Sequence, residues 1–384
     1  MSKRNYSVLS EVAEINMGQS PDSSTYNEVG KGIPFYQGNA DFGEINPNVR
    51  YYCSNPTKLA DVDDILLSVR APIGALNIAS ELCCIGRGLA AIRAKQHIST
   101  SKYLYYCLKK KNGELNSKGT GSTFKAINKQ SLSNVLVPLP PLEVQKQIAQ
   151  NLDTVSELLA LRKKQLEKLD ELIKSVFYDM FGDPITNDKG WEALLLGNAL
   201  NIHPKNGLYK HQSKYGNGTK IIRIDSFYDG YVEDIETLKR VELTRSEVDQ
   251  YLVKKDDILI NRVNSMEYLG KIGIVPDIAE DIVYESNMMR FRLNEEHIIP
   301  IFLMNLWRTN FIKEQIARRA KHAVNQSSIN QPDVLSFTVL SPPIQLQNQF
   351  ATIVTKIEEQ KALVKQSIQE TQTLFDSLMS QYFD

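Results

Sequence analysis

Long apolar runs are missing from this sequence of 384 residues. No stretch approaches the roughly 20 residues that a membrane-spanning helix needs. The opening MSKRNYSVLSEVAEI has no uninterrupted apolar segment of the kind a secretory leader carries. A cytoplasmic protein is therefore expected. Cysteine is scarce: Cys53, Cys83, Cys84 and Cys107 occur without C-x-x-C and without a Cys/His spacing suited to zinc. That argues against a disulfide framework, points to reduced thiols, and leaves no metal expected. No G-x-x-x-x-G-K-[ST] string is present, so a phosphate-cradling NTPase loop is excluded. A net excess of either charge is absent too, since 45 Lys and Arg balance 45 Asp and Glu.

What is present is charge in clusters. Residues 102–129 carry seven lysines against one acid, a local balance of +6, and residues 308–322 carry five basic residues against one acid, +4. Residues 203–223 hold five Lys or Arg and no acid. Clustering of this kind is what neutralising a phosphate backbone requires.

The chain also repeats itself. Shifted by 202, residues 127–182 align without a gap on 329–384, and 15 of these 56 positions are identical. Among the identities are Ile127, Asn128, Val137, Pro140, Pro141, Gln145, Leu161, Leu172 and Phe181. Upstream the match needs gaps: DDIL at 63–66 answers DDIL at 256–259, and LAAIR at 89–93 answers MMRFR at 288–292. Each half is thus a variable unit followed by a better-preserved helical run.

The helical run has a seam. Ile148, Leu152, Val155, Leu159, Leu166, Leu169, Ile173 and Val176 follow spacings of 4 and 3, with Arg162 as the polar break. The second copy gives Phe350, Val354, Ile357, Val364, Ile368, Phe375 and Leu378, broken at Lys361 and Thr371. This is a heptad pattern. Each run opens on Pro-Pro, whose fixed φ and missing N–H suit a first helical turn, and the first run stops at Gly182-Asp183-Pro184. Two seams of equal length most economically bury each other. An antiparallel pair would place two globular units at opposite ends, related by an approximate two-fold. Strand signals at 33–37, 63–70, 220–224 and 256–263, with short helices at 101–111 and 300–318, make each unit α+β.

Catalytic readings fail on residue type. A DNA amino-methyltransferase places Asn or Asp before Pro-Pro to hold the flipped base. Here Leu139 and Ser341 stand there instead. Pro332-Asp333 with Glu359-Gln360-Lys361 loosely fits a metal-dependent nuclease, but the Glu and Lys lie along the predicted coil. The five histidines pair with no nucleophile.

The string GTGSTFKAINKQSLSNVLVPLPPLEVQKQIA (119–149), MFGDPITNDKGWEALLLGNAL (180–200) and the echo INQPDVLSFTVLSPPIQLQNQFA (329–351) resemble the specificity subunit of type I restriction–modification systems. The resemblance covers essentially the whole chain. It implies a target-recognition domain at 1–141, a central preserved helix at 142–183, a second target-recognition domain at 184–343 and a C-terminal helix at 344–384. Each domain would read one half of an asymmetric bipartite site in double-stranded DNA, and the coiled coil would set the spacing. It further implies two modification (methyltransferase) subunits as partners and, for cleavage, restriction motor subunits. S-adenosylmethionine would come with the former and ATP and Mg²⁺ with the latter, leaving this chain non-catalytic and without a cofactor. Val144 departs from the acidic residue common at that place in the family's Pro-Pro motif.

Candidate DNA contacts are polar and basic residues in loops. In the first domain they are Gln19, Ser20, Gln37, Asn39, Arg70, Ser122, Thr123 and Lys125. In the second they are Lys205, Lys210, Lys214, Arg223, Arg262, Asn264, Lys321, Asn325 and Gln326. Arg, Asn and Gln can read base edges, whereas Lys mostly positions on phosphate. Arg70 and Arg262 have an alternative, ion pairs with the Asp-Asp beside them. The competing functions are a coiled-coil scaffold without a DNA role, and a nuclease or methyltransferase acting alone.

Overall fold

A computed structural model of the chain describes residues 5–120, 125–228, 230–324 and 326–384. The architecture mixes helix and sheet in two compact units, one running to Lys164 and including Lys365–Asp384, the other Gln165–Val364. Four helices frame the units: α1 (Ser101–Lys110), α2 (Leu142–Phe181), α3 (Pro300–Trp307) and α4 (Ile344–Phe383). Both α2 and α4 begin directly after a Pro-Pro pair and run for 40 residues. The single helix expected over 300–318 is two, α3 and Asn310–Arg319, because Thr309 turns its hydroxyl onto the Leu306 carbonyl and interrupts the run.

The units share a topology. In the first, β1 (Ala13–Met17), β2 (Ile65–Ser68), β3 (Leu76–Ile78) and β4 (Leu89–Ala94) form an antiparallel sheet in the order β1-β4-β2-β3. In the second, β5 (Leu200–Asn206), β6 (Ile258–Asn261), β7 (Ile272–Ile274) and β8 (Met288–Leu293) repeat that order as β5-β8-β6-β7. A further layer in each unit is built on one parallel pair, Ile33–Tyr36 with Cys83–Ile85 and Tyr215–Ile222 with Ile282–Tyr284.

The repeated Asp-Asp dipeptide has a structural cause. The first aspartate of each, Asp63 and Asp256, takes a left-handed φ of 66° and 65°, a conformation Asp tolerates better than most side chains. The second is buried and closes the turn: Asp64 accepts from the Asp61 N–H and Asp257 from the Lys254 N–H, each at 2.8 Å. The same carboxylates hold the last arginine of the neighbouring strand, Arg93 at 2.8 Å from both Asp64 oxygens and Arg292 at 2.7 Å from Asp257. The Asp-Asp partners are therefore Arg93 in the first unit and Arg292, with Arg290 at 3.6 Å, in the second, and not Arg70 or Arg262.

Within each unit the long helices pair in opposite directions. In the first, Asn151 Nδ2 donates to Tyr382 Oη at 3.0 Å, and the Arg162 guanidinium donates to Thr371 Oγ1 and the Ser367 carbonyl. In the second, Lys361 Nζ lies 2.7 Å from Asp170, and the Phe350 ring sits 5.7 Å from Phe177 and 5.3 Å from Phe181. Numbers rise along one helix as they fall along the other.

Of the proposed seam, Ile148, Leu152, Val155, Leu159, Ile173, Phe350, Val354, Ile357, Val364 and Phe375 are buried. Leu166, Leu169, Val176, Ile368 and Leu378 are half-buried. Buried as well, one place beyond seam positions, are Phe177, Phe181, Met379 and Phe383. A straight helix drifts roughly 20° per heptad relative to a strict seven-residue repeat. The drift sets these side chains between the partner helix and the unit's own core: Phe177 and Phe181 still touch Phe350, while Phe181 also reaches Phe302 (4.8 Å) and Phe383 reaches Tyr103 (5.4 Å).

A buried glutamine in each unit ties the start of the long helix to the start of the short one. Gln145 is fully buried; its amide donates to the Ile98 and Pro140 carbonyls at 3.0 and 2.9 Å and accepts from Thr100 N–H at 3.3 Å. Gln347, its repeat equivalent, donates to His297 and Pro342 carbonyls, both at 2.8 Å, and accepts from Ile299 N–H at 3.1 Å. Gln347→Leu is expected to destabilise the second unit by about 2–4 kcal/mol, the cost of stranding buried backbone groups. Urea unfolding followed by tryptophan fluorescence measures it, since Trp191 and Trp307 both lie in that unit; an unchanged midpoint would show that the amide bonds do not hold the joint.

Candidate nucleic-acid interface

In each unit a ladder of backbone bonds draws separate loops to one end of the sheet. In the first, Gly18 N–H donates to Leu89 O, Gln19 N–H to Ile85 O, Val69 N–H to Gly88 O and Ile127 N–H to Val69 O, at 2.9 to 3.0 Å. Arg87 N–H reaches Ser20 Oγ at 3.3 Å, and Arg70 bridges to Ala126. Gln19, Ser20, Gln37, Arg70, Arg87 and Lys125 thereby share one rim. Gln37 is exposed beside Asp41, whose carboxylate accepts its N–H at 2.7 Å, and half-buried Asn39 follows in the same turn. Ser122 and Thr123 lie outside the described residues.

The second unit builds the same ladder. Gly207 N–H donates to Met288 O, Leu208 N–H to Tyr284 O, Arg262 N–H to Asn287 O and Ile329 N–H to Arg262 O, at 2.9 to 3.0 Å. Val263 and Asn264 pair with Ser328 and Ser327, which pair in turn with Lys321 and His322. Lys210 and Arg223 line a cavity of about 540 Å³ with Tyr209, Tyr215, Lys239, Glu285, Ser286 and Asn287. Asn325 lies outside the described residues.

The basic candidates differ in how free their charges are. Lys210 is 2.7 Å from Glu247, Lys214 3.5 Å from Glu242, and Arg223 3.3 Å from Glu285. The Lys210 ammonium, with the Thr244 N–H, holds the Glu247 carboxyl below the usual range. Lys205 points elsewhere: its ammonium bonds the Gln250 carbonyl at 3.1 Å and covers the Tyr251 ring. Arg262 donates from Nη1 to the Ser286 carbonyl at 3.1 Å, so it supports the turn it borders. Arg70, Arg87, Lys125 and Lys321 are exposed and have no carboxylate partner among the described residues. Gln326 is exposed on the last turn before the strand Ser327–Ser328.

Register also separates Arg70 from Arg262. Arg70 and Val263 occupy the same place in the two ladders, each paired with the equivalent hairpin residue, Ala126 in one unit and Ser328 in the other. Arg262 corresponds to the buried Val69. The basic residue that reading for polar loops missed is Arg87, in the Gly86-Arg87-Gly88 turn equivalent to Glu285-Ser286-Asn287; its flanking glycines were the available signal.

Those glycines matter sterically. A Cβ on Gly18 would stand 2.2 Å from the Gly86 carbonyl oxygen, and one on Gly207 2.1 Å from that of Glu285. The four thiols are buried and unpaired with one another in disulfides, and burial pushes Cys83 and Cys107 up to about 12, which keeps them from thiolate chemistry. Among the described residues no group of three His, Cys, Asp or Glu is placed to hold a metal ion. No described helix is long and apolar enough to cross a membrane.

A second surface lies on the long helices. With Leu152 and Leu159 at position a of the heptad, positions c and g share one flank and b and e the other. Among the exposed leucines of the c and g flank, four recur in both copies: Leu161 and Leu374 in the first unit, Leu172 and Leu363 in the second. In the repeat these are two identical pairs, Leu161 with Leu363 and Leu172 with Leu374.

A model described as the type I restriction modification DNA specificity domain matches the chain twice, over residues 1–171 and 188–372. The chain belongs to that family. A putative type I restriction enzyme MjaX specificity subunit of Methanocaldococcus jannaschii is 44% identical over 163 residues, 42% of this chain and 38% of the relative. The EcoBI specificity subunit of Escherichia coli is 24% identical over 383 residues, 91% of this chain and 78% of that one. For three curated relatives the chain spans only 38%, 66% and 62% of their length. Among solved structures, a type I restriction–modification S subunit from M. genitalium shares the fold with a TM-score of 0.61 at 16% identity, covering 100% of this chain and 97% of that one.

Gly207→Ala is expected to force apart the 207 loop and the 285 turn and cost about 1–3 kcal/mol, as overpacking does. Gly113→Ala, whose Cβ meets nothing within 4 Å in a helix, is the control and is expected to hold or slightly raise the midpoint. Thermal unfolding of both variants is the measurement, and equal midpoints would contradict the close approach.

Proposed function

We propose that this chain is the DNA-reading, non-catalytic subunit of a type I restriction–modification complex. The observation that carries the reading is the doubled specificity-domain match on two units whose loop ladders are built alike yet present different side chains. Two like frames with unlike rims suit an asymmetric bipartite site, one half per unit. Arg70, Arg87 and Gln37 would serve the first half; Arg223, Arg262, Asn264 and Gln326 the second. Lys125 and Lys321, exposed and without a carboxylate, suit phosphate contacts. We further propose that α2 and α4 form one antiparallel coiled coil that fixes the separation of the half-sites, in a division of 1–141, 142–183, 184–343 and 344–384.

The leucine pairs support a partner. An exposed leucine placed twice at equivalent positions is a surface offered to two copies of one protein. We assign it to two modification subunits, which bring S-adenosylmethionine, while restriction motor subunits bring ATP and Mg²⁺. Such an assembly works on DNA in the cytoplasm.

Lys125→Ala is expected to weaken binding to all sequences alike and lower the salt slope by about one charge. Arg87→Ala is expected to relax the first half-site alone. Binding titrations over a salt series and mapping of methylated bases read both, and a complex with no sequence preference would favour the scaffold alternative instead. Leu161→Asp with Leu374→Asp is expected to leave one modification subunit bound, and adding Leu172→Asp and Leu363→Asp none. Native mass spectrometry counts them; full occupancy in the quadruple variant would remove this surface from the interface.

A further inference from the structure

The hairpin Lys321–Ser328 stands out from the second unit's ladder. Its strands Lys321–His322 and Ser327–Ser328 pair in register, Ala323 N–H closes the turn on the Gln326 carbonyl at 2.8 Å, and His322 Nδ1 meets Ser327 Oγ at 3.1 Å. A third short strand, Val263–Asn264, braces it, and its base is fixed by the Ile329 bond to Arg262. At the turn Val324 is 99% exposed, the most exposed large apolar residue described. A two-stranded ribbon fits the major groove of B-DNA, where an apolar side chain can contact the thymine methyl.

The repeat supplies the comparison that a lone exposed valine would lack. The first unit builds a comparable hairpin base, one residue shorter between its paired ends, with Thr120 and Ala126 exchanging both backbone bonds at 2.9 and 3.0 Å and Ile127 bonded to Val69 as Ile329 is to Arg262. Flanking residues are shared, Ile-Asn at 127–128 and at 329–330, whereas GTGSTFKA and KHAVNQSS between them share none that align. Frame retained and tip replaced is the pattern expected of an element that reads a different base in each half.

We propose that this hairpin enters the major groove and that Val324 reads a thymine through its 5-methyl group. The proposal rests on the DNA-reading function proposed for the chain. Its test is a uracil scan: the complex is titrated with duplexes in which each thymine of the second half-site is replaced singly by uracil, which keeps every hydrogen bond and removes the methyl. One replacement is expected to weaken binding about fourfold, the effect of one buried methyl-sized group. Val324→Ser, at a fully exposed position that the fold does not use, is expected to bind thymine and uracil duplexes equally, with the first half-site unchanged. Equal binding of every uracil duplex by the wild type would overturn the proposal, as would discrimination that survives in Val324→Ser. Absence of any sequence preference would overturn the DNA-reading function itself.

Discussion

The buried amide of Gln145 and Gln347 is the contact on which the rest of each unit depends. A glutamine offers donors and an acceptor on one neutral group. It can therefore satisfy two carbonyls and one N–H without the desolvation cost of a charge. The carbonyls include Pro140 and Pro342, first members of the pairs that launch α2 and α4. The N–H groups, of Thr100 and Ile299, precede α1 and α3. One side chain thus fixes the start of a long helix against the start of a short one. From that joint the aromatic contacts follow: Phe177, Phe181, Phe302 and Phe350 in one unit, Tyr103, Tyr106, Phe375 and Phe383 in the other.

The seam departs from the repeat where it is polar. Arg162, Lys361 and Thr371 correspond to Val364, Leu159 and Leu169 in the other copy. Each polar residue meets a partner on the opposite helix, Arg162 with Thr371 and Ser367, Lys361 with Asp170. Burial works against the Lys361 charge, but its bonds to Asp170 and Glu358 outweigh it and raise its pKa. Such pairs add little stability and specify which surface meets which. Two copies of α2 facing each other in this register would set Arg162 against Leu169, removing the hydroxyl acceptor that Thr371 supplies. The chain's own α4 offers the hydroxyl that α2 lacks at that place.

Periodicity made the two long helices and their shared register legible in the sequence, because a heptad is a local pattern. It placed the seam residues but missed Phe177, Phe181, Met379 and Phe383, whose burial draws on the sheet-bearing unit as well as on the partner helix. Proximity in sequence misled at Asp-Asp: Arg70 and Arg262 lie close along the chain, yet Arg93 and Arg292 arrive from the adjacent strand. The same limit applies to Lys205, a basic residue in a basic run whose ammonium is spent on Gln250 and Tyr251. Arg87 was hidden between two glycines whose role, close approach of loop backbones, appears only when Gly18 and Gln37 are seen beside them. Gln145 was visible as an identity in the repeat, but nothing local tells a buried glutamine from an exposed one such as Gln147.

The repeated positions sort by burial into two kinds of constraint. Ile127, Val137, Gln145 and Phe181, with their counterparts Ile329, Val339, Gln347 and Phe383, are buried in both copies. Packing accounts for them, since each fills or ties the same place in a shared frame. Gln147, Leu161, Leu172 and Ser175 are exposed, as are Gln349, Leu363, Leu374 and Ser377, and all eight lie at c or g. Packing within the chain cannot account for these, because they touch solvent on the flank turned away from Phe177, Phe181, Met379 and Phe383. Solubility would remove the leucines before the others, and helix propensity would not choose leucine over lysine or glutamate at those places. A surface held twice against its own hydration preference is what the proposed docking of two like partners would require. The rims, by contrast, share a frame and differ in side chains. The proposed pair of identical partners and pair of different half-sites would impose those opposite demands on one duplicated chain.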